Sequence, residues 1–449
     1  PFDAACSGLL PPPPPPPPLH LTTAGYAQLG ADIYGSSSGV LHGFRTKISG
    51  DGLTILAISR NYAASTNPEA HAYRWDGDGW VPKGNLNAAL SDAMPHAMAF
   101  EGLGINYDGS RVLLSSLSAT AYVFDYNATS VTGWEPVGQT IISVTIGIAA
   151  GSSLRFRFAE LSADGTRVAL GTDTYATRMF VVLDYSAGTK LWALKGTPID
   201  ESGLPALTHD GGNSWGTSIG MSADGAVVAH SNEANPGRVR AYTFVGNDWA
   251  LRGTGNDLMG DSALNSALFG RYHFTLSGDG SRIAMGGPLS DPSGTYNAGY
   301  GQVFEWDGAT WSKLGQAFTG EYALVHMGHA MTLSSDGMTL AVGATSHTAS
   351  NNPVGGGYVD VYVWNNVPYP ADGWVKITRL TGHTGSPNYN DDGFAEQVAM
   401  SADGSVIIAA GKWNDGSSTD NANNVGHVRA FVRVDHASPP ALPAPPSPP

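Results

Sequence analysis

Apolar residues alternate with small or polar ones over short stretches, and the alternation breaks off again and again at Asp-Gly. One phrase recurs seven times: "ISGDGLTILAIS", "INYDGSRVLLSS", "LSADGTRVALGT", "MSADGAVVAHSN", "LSGDGSRIAMGG", "LSSDGMTLAVGA" and "MSADGSVIIAAG". Its aspartates are Asp51, Asp108, Asp164, Asp224, Asp279, Asp336 and Asp403, spaced 55 to 67 residues apart. A period of two means strands with opposite faces in different surroundings. Asp-Gly between two such strands predicts a tight hairpin whose turn takes positive φ angles.

A second phrase follows each first one, as in "AYRWDGDGWVPKG", "VVLDYSAGTKLWALKG", "AYTFVGNDWALRG" and "VFEWDGATWSKLG". Aromatics precede its turn and a Trp opens the return strand, so it reads as a second hairpin. Two hairpins make a four-stranded unit that cannot bury both faces alone. Seven such units in succession predict an all-β, seven-bladed β-propeller of four-stranded blades. The seventh unit lacks its return strand, because "GHVRAFVRVDH" runs into a proline-rich segment. "YAQLG" at 26–30 matches "WSKLG" at 311–315. It is expected to complete the last blade and close the ring, leaving no large open edge. The organisation is then an arm at 1–19, a propeller at 20–436 and a tail at 437–449.

An aromatic-Gly element precedes several of the Asp-Gly phrases, in "ALFGRYHFTLSGDG", "NSWGTSIGMSADG" and "HMGHAMTLSSDG", and inverted in "DDGFAEQVAMSADG" and "HGFRTKISGDG". "GGP" (286–288) or "GAT" (343–345) comes after the phrase. Together these resemble the FG-GAP repeat, as in the seven-bladed headpiece of integrin α subunits. The Trp-x-x-Leu-Gly phrases look most like secreted FG-GAP-like proteins of microbes and algae. The resemblance, over roughly residues 24 to 435, implies the fold; propellers host many activities. Such repeats often carry calcium on Asp-x-Asp-x-Asp-Gly loops. Here that spacing is absent, and only "GKWNDGSSTDNANNVG" holds two nearby acids, Asp415 and Asp420. No metal and no cofactor is expected.

The charge narrows the partners. With 23 basic and 38 acidic residues the net charge is −15, and no basic run offers a phosphate backbone a footing. Nucleic acid is not an expected partner. No apolar stretch approaches the ~20 residues of a membrane-spanning helix. "TIISVTIGIAAG" (140–151) reads as strand or buried loop.

Three candidates for chemistry have plain structural readings. Ser218 in "GTSIG" fits a nucleophile motif, but that motif needs a strand-to-helix elbow and this stretch reads as a strand. His326 and His329 in "HMGH" would face opposite sides of a strand. The acids of "DES" (200–202) and "DD" (391–392) fall in inter-blade loops. No residue acquires a catalytic role, and the chain is not expected to be an enzyme.

The flanks carry the functional expectation. Pro11, Pro12, Pro13, Pro14, Pro15, Pro16, Pro17 and Pro18 are contiguous, which requires a stiff polyproline II rod of about 25 Å. Contiguous prolines, and the Ser-Pro steps of the tail, resemble hydroxyproline-rich glycoproteins of algal and plant matrices. The resemblance implies hydroxylation and short O-linked sugars at those prolines and at Pro439, Pro440 and Pro448. Asn127 in "NAT" is an N-glycosylation sequon in a predicted exposed hairpin. The segment before the rod carries Phe2, Leu9, Leu10 and the only cysteine, Cys6. An apolar tip on a stiff arm suits insertion into a neighbouring copy, with Cys6 placed to lock the joint. Head-to-tail contact of that kind builds filaments when it does not close. Two other readings stay open: a remnant of a linker to an upstream domain, with Cys6 incidental, or a tip folded back on its own disc. A chain starting at Pro1 fits removal of a signal peptide.

The expectation is therefore a secreted, glycosylated structural subunit of an extracellular filament or matrix, with itself and attached glycans as partners. The alternatives are an adhesion or carbohydrate-binding propeller, and a glycan-active hydrolase or lyase with acids at one mouth of the channel.

Overall fold

The computed structural model describes residues 25–37, 39–60, 68–93, 100–142, 155–172, 179–201, 218–232, 237–253, 258–260, 269–270, 273–345, 356–365, 373–382, 393–415 and 424–434. The tip residues Phe2, Cys6, Leu9 and Leu10, the prolines named above, Asp391, Asp392 and Asp420 lie outside them.

Seven antiparallel sheets, each of four main strands, are arranged as the blades of a propeller. Blade one runs His42–Ile48, Thr54–Ser59, Glu69–Trp75 and Trp80–Pro82, each strand paired with the next. In five blades a two-residue strand, such as Ile141–Ile142 or Ile199–Asp200, joins the third strand beyond the return strand. Blade seven is completed by Gly25–Gln28, which pairs antiparallel with His427–Val434, Gly25 opposite Val434. Leu29 continues that pairing through its amide to the Ala430 carbonyl (2.8 Å). Asp32 then takes a bidentate ion pair from Arg429, with Nε–Oδ1 at 2.9 Å and Nη2–Oδ2 at 2.8 Å.

The Asp-Gly turn differs from expectation in one respect. Only its glycine takes a positive φ, 74° at Gly52 and 71° at Gly165, while none of the seven aspartates does. The aspartate works through its carboxylate instead. In blade three Ser162 Oγ donates to Asp164 Oδ1 (2.6 Å), the Thr166 amide donates to the same oxygen (2.9 Å), and the Arg167 amide donates to Ser162 Oγ (2.9 Å). Ser, Asp and Gly thus act as one unit, which is why "S-x-D-G" recurs and not Asp-Gly alone.

Next to these turns the backbone closes a ring about the propeller axis. The Ala402 amide donates to the Gly50 carbonyl, Ser335 to Ala402, Gly278 to Ser335, Ala223 to Gly278, Ala163 to Ala223, Tyr107 to Ala163, and Asp51 to Tyr107, all at 2.7–2.8 Å. Each inner strand is thereby tied to both neighbours.

The Trp-x-x-x-Gly phrase ties the blades together at the outer strands. At five interfaces the indole Nε1 of one blade donates to a carbonyl just before the glycine of the preceding blade. The pairs are Trp80 to Leu29, Trp134 to Lys83, Trp192 to Val137, Trp249 to Lys195 and Trp374 to Leu314, at 2.7–3.1 Å. The glycine must be glycine: at Gly84 φ is 68°, and a Cβ would lie 2.9 Å from Trp134. "YAQLG" therefore does two jobs, completing blade seven and offering Leu29 to the first Trp of blade one.

Among the described residues, besides a single 3-10 turn at Pro292–Gly294, one α-helix departs from the all-β pattern. Leu86–Ala93 forms a helix whose first turn is capped by Asn85, Oδ1 accepting from the Ala88 amide (3.0 Å). Leu86, Ala89 and Leu90 bury one stripe of it against Phe100 and Trp134. The Asn cap and the i, i+3, i+4 apolar spacing were the sequence signals.

Candidate functional site in the axial channel

The inner strands converge on the axis, where seven large side chains would not fit. The residues six places before each Asp-Gly aspartate are Arg45, Gly102, Phe158, Ser218, His273, Ala330 and Gln397. Large residues come from blades one, three, five and seven, small ones from blades two, four and six. Together with the next layer they line an axial cavity of about 230 Å³.

The large side chains meet across the channel. Arg45 Nη1 lies 3.3 Å from His273 Nε2, and Gln397 Nε2 lies 2.8 Å from the same nitrogen. Both neighbours are donors, so that nitrogen accepts and the ring is neutral with its proton on Nδ1. Burial holds His273 well below the ordinary histidine range, and the Arg45 charge lowers it further. Lys47 from blade one pairs with Glu160 from blade three. Burial nevertheless raises Glu160 above the usual carboxylate range, with Lys47 opposing. Glu101 receives Arg60 Nη1 (2.9 Å) and Arg157 Nε (2.8 Å), so one carboxylate links three consecutive blades. Lys412 pairs with Glu396 at 2.5 Å. The Phe44 ring lies among three cations, with Arg45, Arg60 and Lys412 at 5.6, 5.1 and 5.6 Å from its centroid.

No motif in the sequence marks this cluster. A signal existed: anchored on Asp-Gly, the repeats show Arg, Lys, Glu, His and Gln at inner-strand columns where other units carry Gly, Ala, Ser or Thr. Chemically the cluster is an ion-pair array with a surplus of positive charge. Its carboxylates Glu101, Glu160 and Glu396 each hold a cationic partner.

The residues weighed from sequence lie elsewhere or serve the fold. Ser218 is buried in the channel wall, its amide donating to Ser231 Oγ (2.7 Å). His326 and His329 do not follow strand alternation: His326 takes φ 54°, Gly328 takes 83°, and the register shifts between Met327 and Met331. Asp200 lies in a two-residue strand and Glu201 is buried, donated to by the Tyr242 hydroxyl (2.7 Å). Asp415 Oδ1 accepts from the Asn424 amide (2.7 Å). Among the described residues no group of three or more His, Cys, Asp or Glu side chains is arranged to hold a metal ion. No described helix is long and apolar enough to cross a membrane. Asn127 lies in the hairpin between Thr120–Tyr126 and Trp134–Pro136, its Nδ2 donating to Glu135 at 2.9 Å.

No family model matches the chain, and no curated protein matches it. Solved structures do: 1439 chains are similar to it, so the architecture is widely used. One is the hydrazine synthase of Kuenenia stuttgartiensis, at 14% identity and a TM-score of 0.50, covering 86% of this chain and 96% of that one. At that identity the likeness speaks to fold alone. By its own geometry and by this likeness, the chain is a seven-bladed β-propeller.

Proposed function

We propose that this propeller is a secreted, glycosylated structural subunit, of FG-GAP-like kinship, that assembles head-to-tail into an extracellular filament or matrix. It is not an enzyme in this reading. The observation that carries it is the pairing of Gly25 with Val434. Those are the described residues nearest in sequence to the proline-rich arm and the proline-rich tail, and they lie side by side on the last blade. Two proline-rich segments that follow from neighbouring positions in the fold suit the directional attachment a filament subunit needs. The low charged fraction, 14%, suits a surface coated by neutral sugars.

Light scattering of the full chain and of a chain lacking residues 1–19 tests this, using a host that hydroxylates and glycosylates proline, with and without reductant. Polymers from the full chain and monomers from the truncated one are expected. Monomers from both would end the filament reading.

A second reading, a carbohydrate-binding propeller, draws on Tyr296 and Tyr322, both exposed. Their loops are joined by the Leu324 amide, which donates to the Tyr296 carbonyl (3.0 Å). Depletion of a soluble glycan panel by monomeric protein, lost in Tyr296→Ala, would favour it.

A further inference from the structure

We propose that the axial cavity is a binding site for a small oxyanion, a carboxylate or a sulfate, anchored on Arg45. The cavity lining holds two cations, Arg45 and Lys47, and two carboxylates, Glu101 and Glu160. With the charged groups that pair with these or act on Arg45, the cluster among the described residues holds five cations, adding Arg60, Arg157 and Lys412, and three carboxylates, adding Glu396. The excess of two positive charges sits inside a protein whose net charge is −15. Four of the cations hold a carboxylate; Arg45 holds none among the described residues. Its neighbours are a neutral imidazole and the rings of Phe44 and Phe158, each centroid 5.6 Å away. Arg45 Nε is shut off from solvent and has no hydrogen-bond partner.

A guanidinium left this way carries a desolvation cost that Glu101 and Glu396, acting through space, offset only in part. Its planar fork matches two oxygens of a carboxylate or sulfate. The cavity, at about 230 Å³, has room for such a group, and Thr275 and Ser218 line it with hydroxyls. It is open to solvent, since the Lys47 and Glu160 side chains remain 34% and 23% exposed. Because His273 Nε2 already accepts from Gln397, Arg45 is free to turn its remaining donors to a ligand without leaving that ring unpaired.

Isothermal titration calorimetry of the full chain tests it, with sodium acetate, sodium glucuronate and sodium sulfate at ionic strength fixed by sodium chloride. Glucose is the neutral control. Saturable binding of at least one oxyanion and none of glucose is expected. Acetate or glucuronate without sulfate would identify a carboxylate site, and sulfate alone an inorganic or sulfated ligand. Arg45→Gln should weaken binding by about tenfold or more, the scale of a lost charge-assisted hydrogen bond. Glu101→Gln, which raises the positive excess, should tighten it several-fold. The proposal fails if folded wild-type chain binds none of the three oxyanions, or if Arg45→Gln binds as wild type does. Should Arg45→Gln not fold, Glu101→Gln decides, and binding no tighter than wild type overturns the assignment.

Discussion

The rim of the disc and its axis use the same strands in opposite ways. At the rim the blades repeat one solution: an indole donates to the preceding blade's carbonyl, over a glycine that leaves room for it. Between rim and axis a cation of one blade also reaches the Asp-Gly turn of the next, as Lys83 reaches Gly109, Arg111 reaches Gly165 and Arg282 reaches Gly337, at 2.7–2.9 Å to each carbonyl. At the axis the backbone ring repeats but the side chains facing the channel do not, and Arg45, Lys47, Glu160, His273 and Gln397 occur once each. Repetition marks what each interface needs in order to hold; departure from it marks where one blade does something the others do not.

The comparison breaks first if the rim carries little stability. Trp134 is 2% exposed and joins blades one and two, so Trp134→Ala should cost about 3–5 kcal/mol in thermal or denaturant unfolding. A loss below about 1 kcal/mol would remove the staple from the account.

The seam where blade seven meets blade one gives the next largest effect, through pH. His42 is buried there, with Nδ1 2.7 Å from Ser59 Oγ, its ring near His71 and Tyr73, and its backbone amide on the Val425 carbonyl. Burial, and the nearby His71 and His427, lower it to about 3. The unfolded chain protonates this histidine below about pH 6.5 and the folded chain does not, so stability falls as the pH drops. The contribution is fully present above 6.5 and diminishes by about 1.4 kcal/mol per pH unit down towards 3. Unfolding free energies between pH 7 and 4.5 should show this slope, and His42→Gln should flatten it.

Arg111 sharpens the comparison at a smaller scale. It forks onto Asp125 and reaches Gly165 of the next blade, yet the Asp125 side chain is 43% exposed and the pair is screened. Arg111→Ala should cost about 1 kcal/mol by the same measurement. The smallest effect belongs to the axis. Arg45→Gln removes a cation that holds no carboxylate, so stability should change by no more than about 0.5 kcal/mol, or rise. A loss like that of Trp134→Ala would make Arg45 one more structural clamp.

Much of the architecture was legible because it is local and repeated. Ser-x-Asp-Gly encodes its turn through hydrogen bonds that span five residues, and Trp-x-x-x-Gly recurs in five of the seven units. The seventh unit's missing strand could be found because its replacement keeps the glycine, with a free carbonyl just before it, that the next Trp requires. The turn's conformation was misread at the aspartate: sequence shows the residue pair, whereas the flanking serine decides that the carboxylate is used and the left-handed conformation is left to the glycine. The alternation assigned to His326 and His329 failed for a similar reason, since a left-handed Gly328 breaks the register between them.

What the sequence by itself determined was the repeating unit, the number of units and the place where the ends must meet. Turn chemistry, strand alternation and the Trp–Gly contact all act over distances the chain spells out in order. What only the tertiary structure decided was the content of the axis. Arg45, Glu160 and His273 lie more than a hundred residues apart in succession, and nothing along the chain brings them together. They meet because seven unit-to-unit contacts, each indifferent to what lies at the centre, add up to a closed ring whose inner strands share one narrow space.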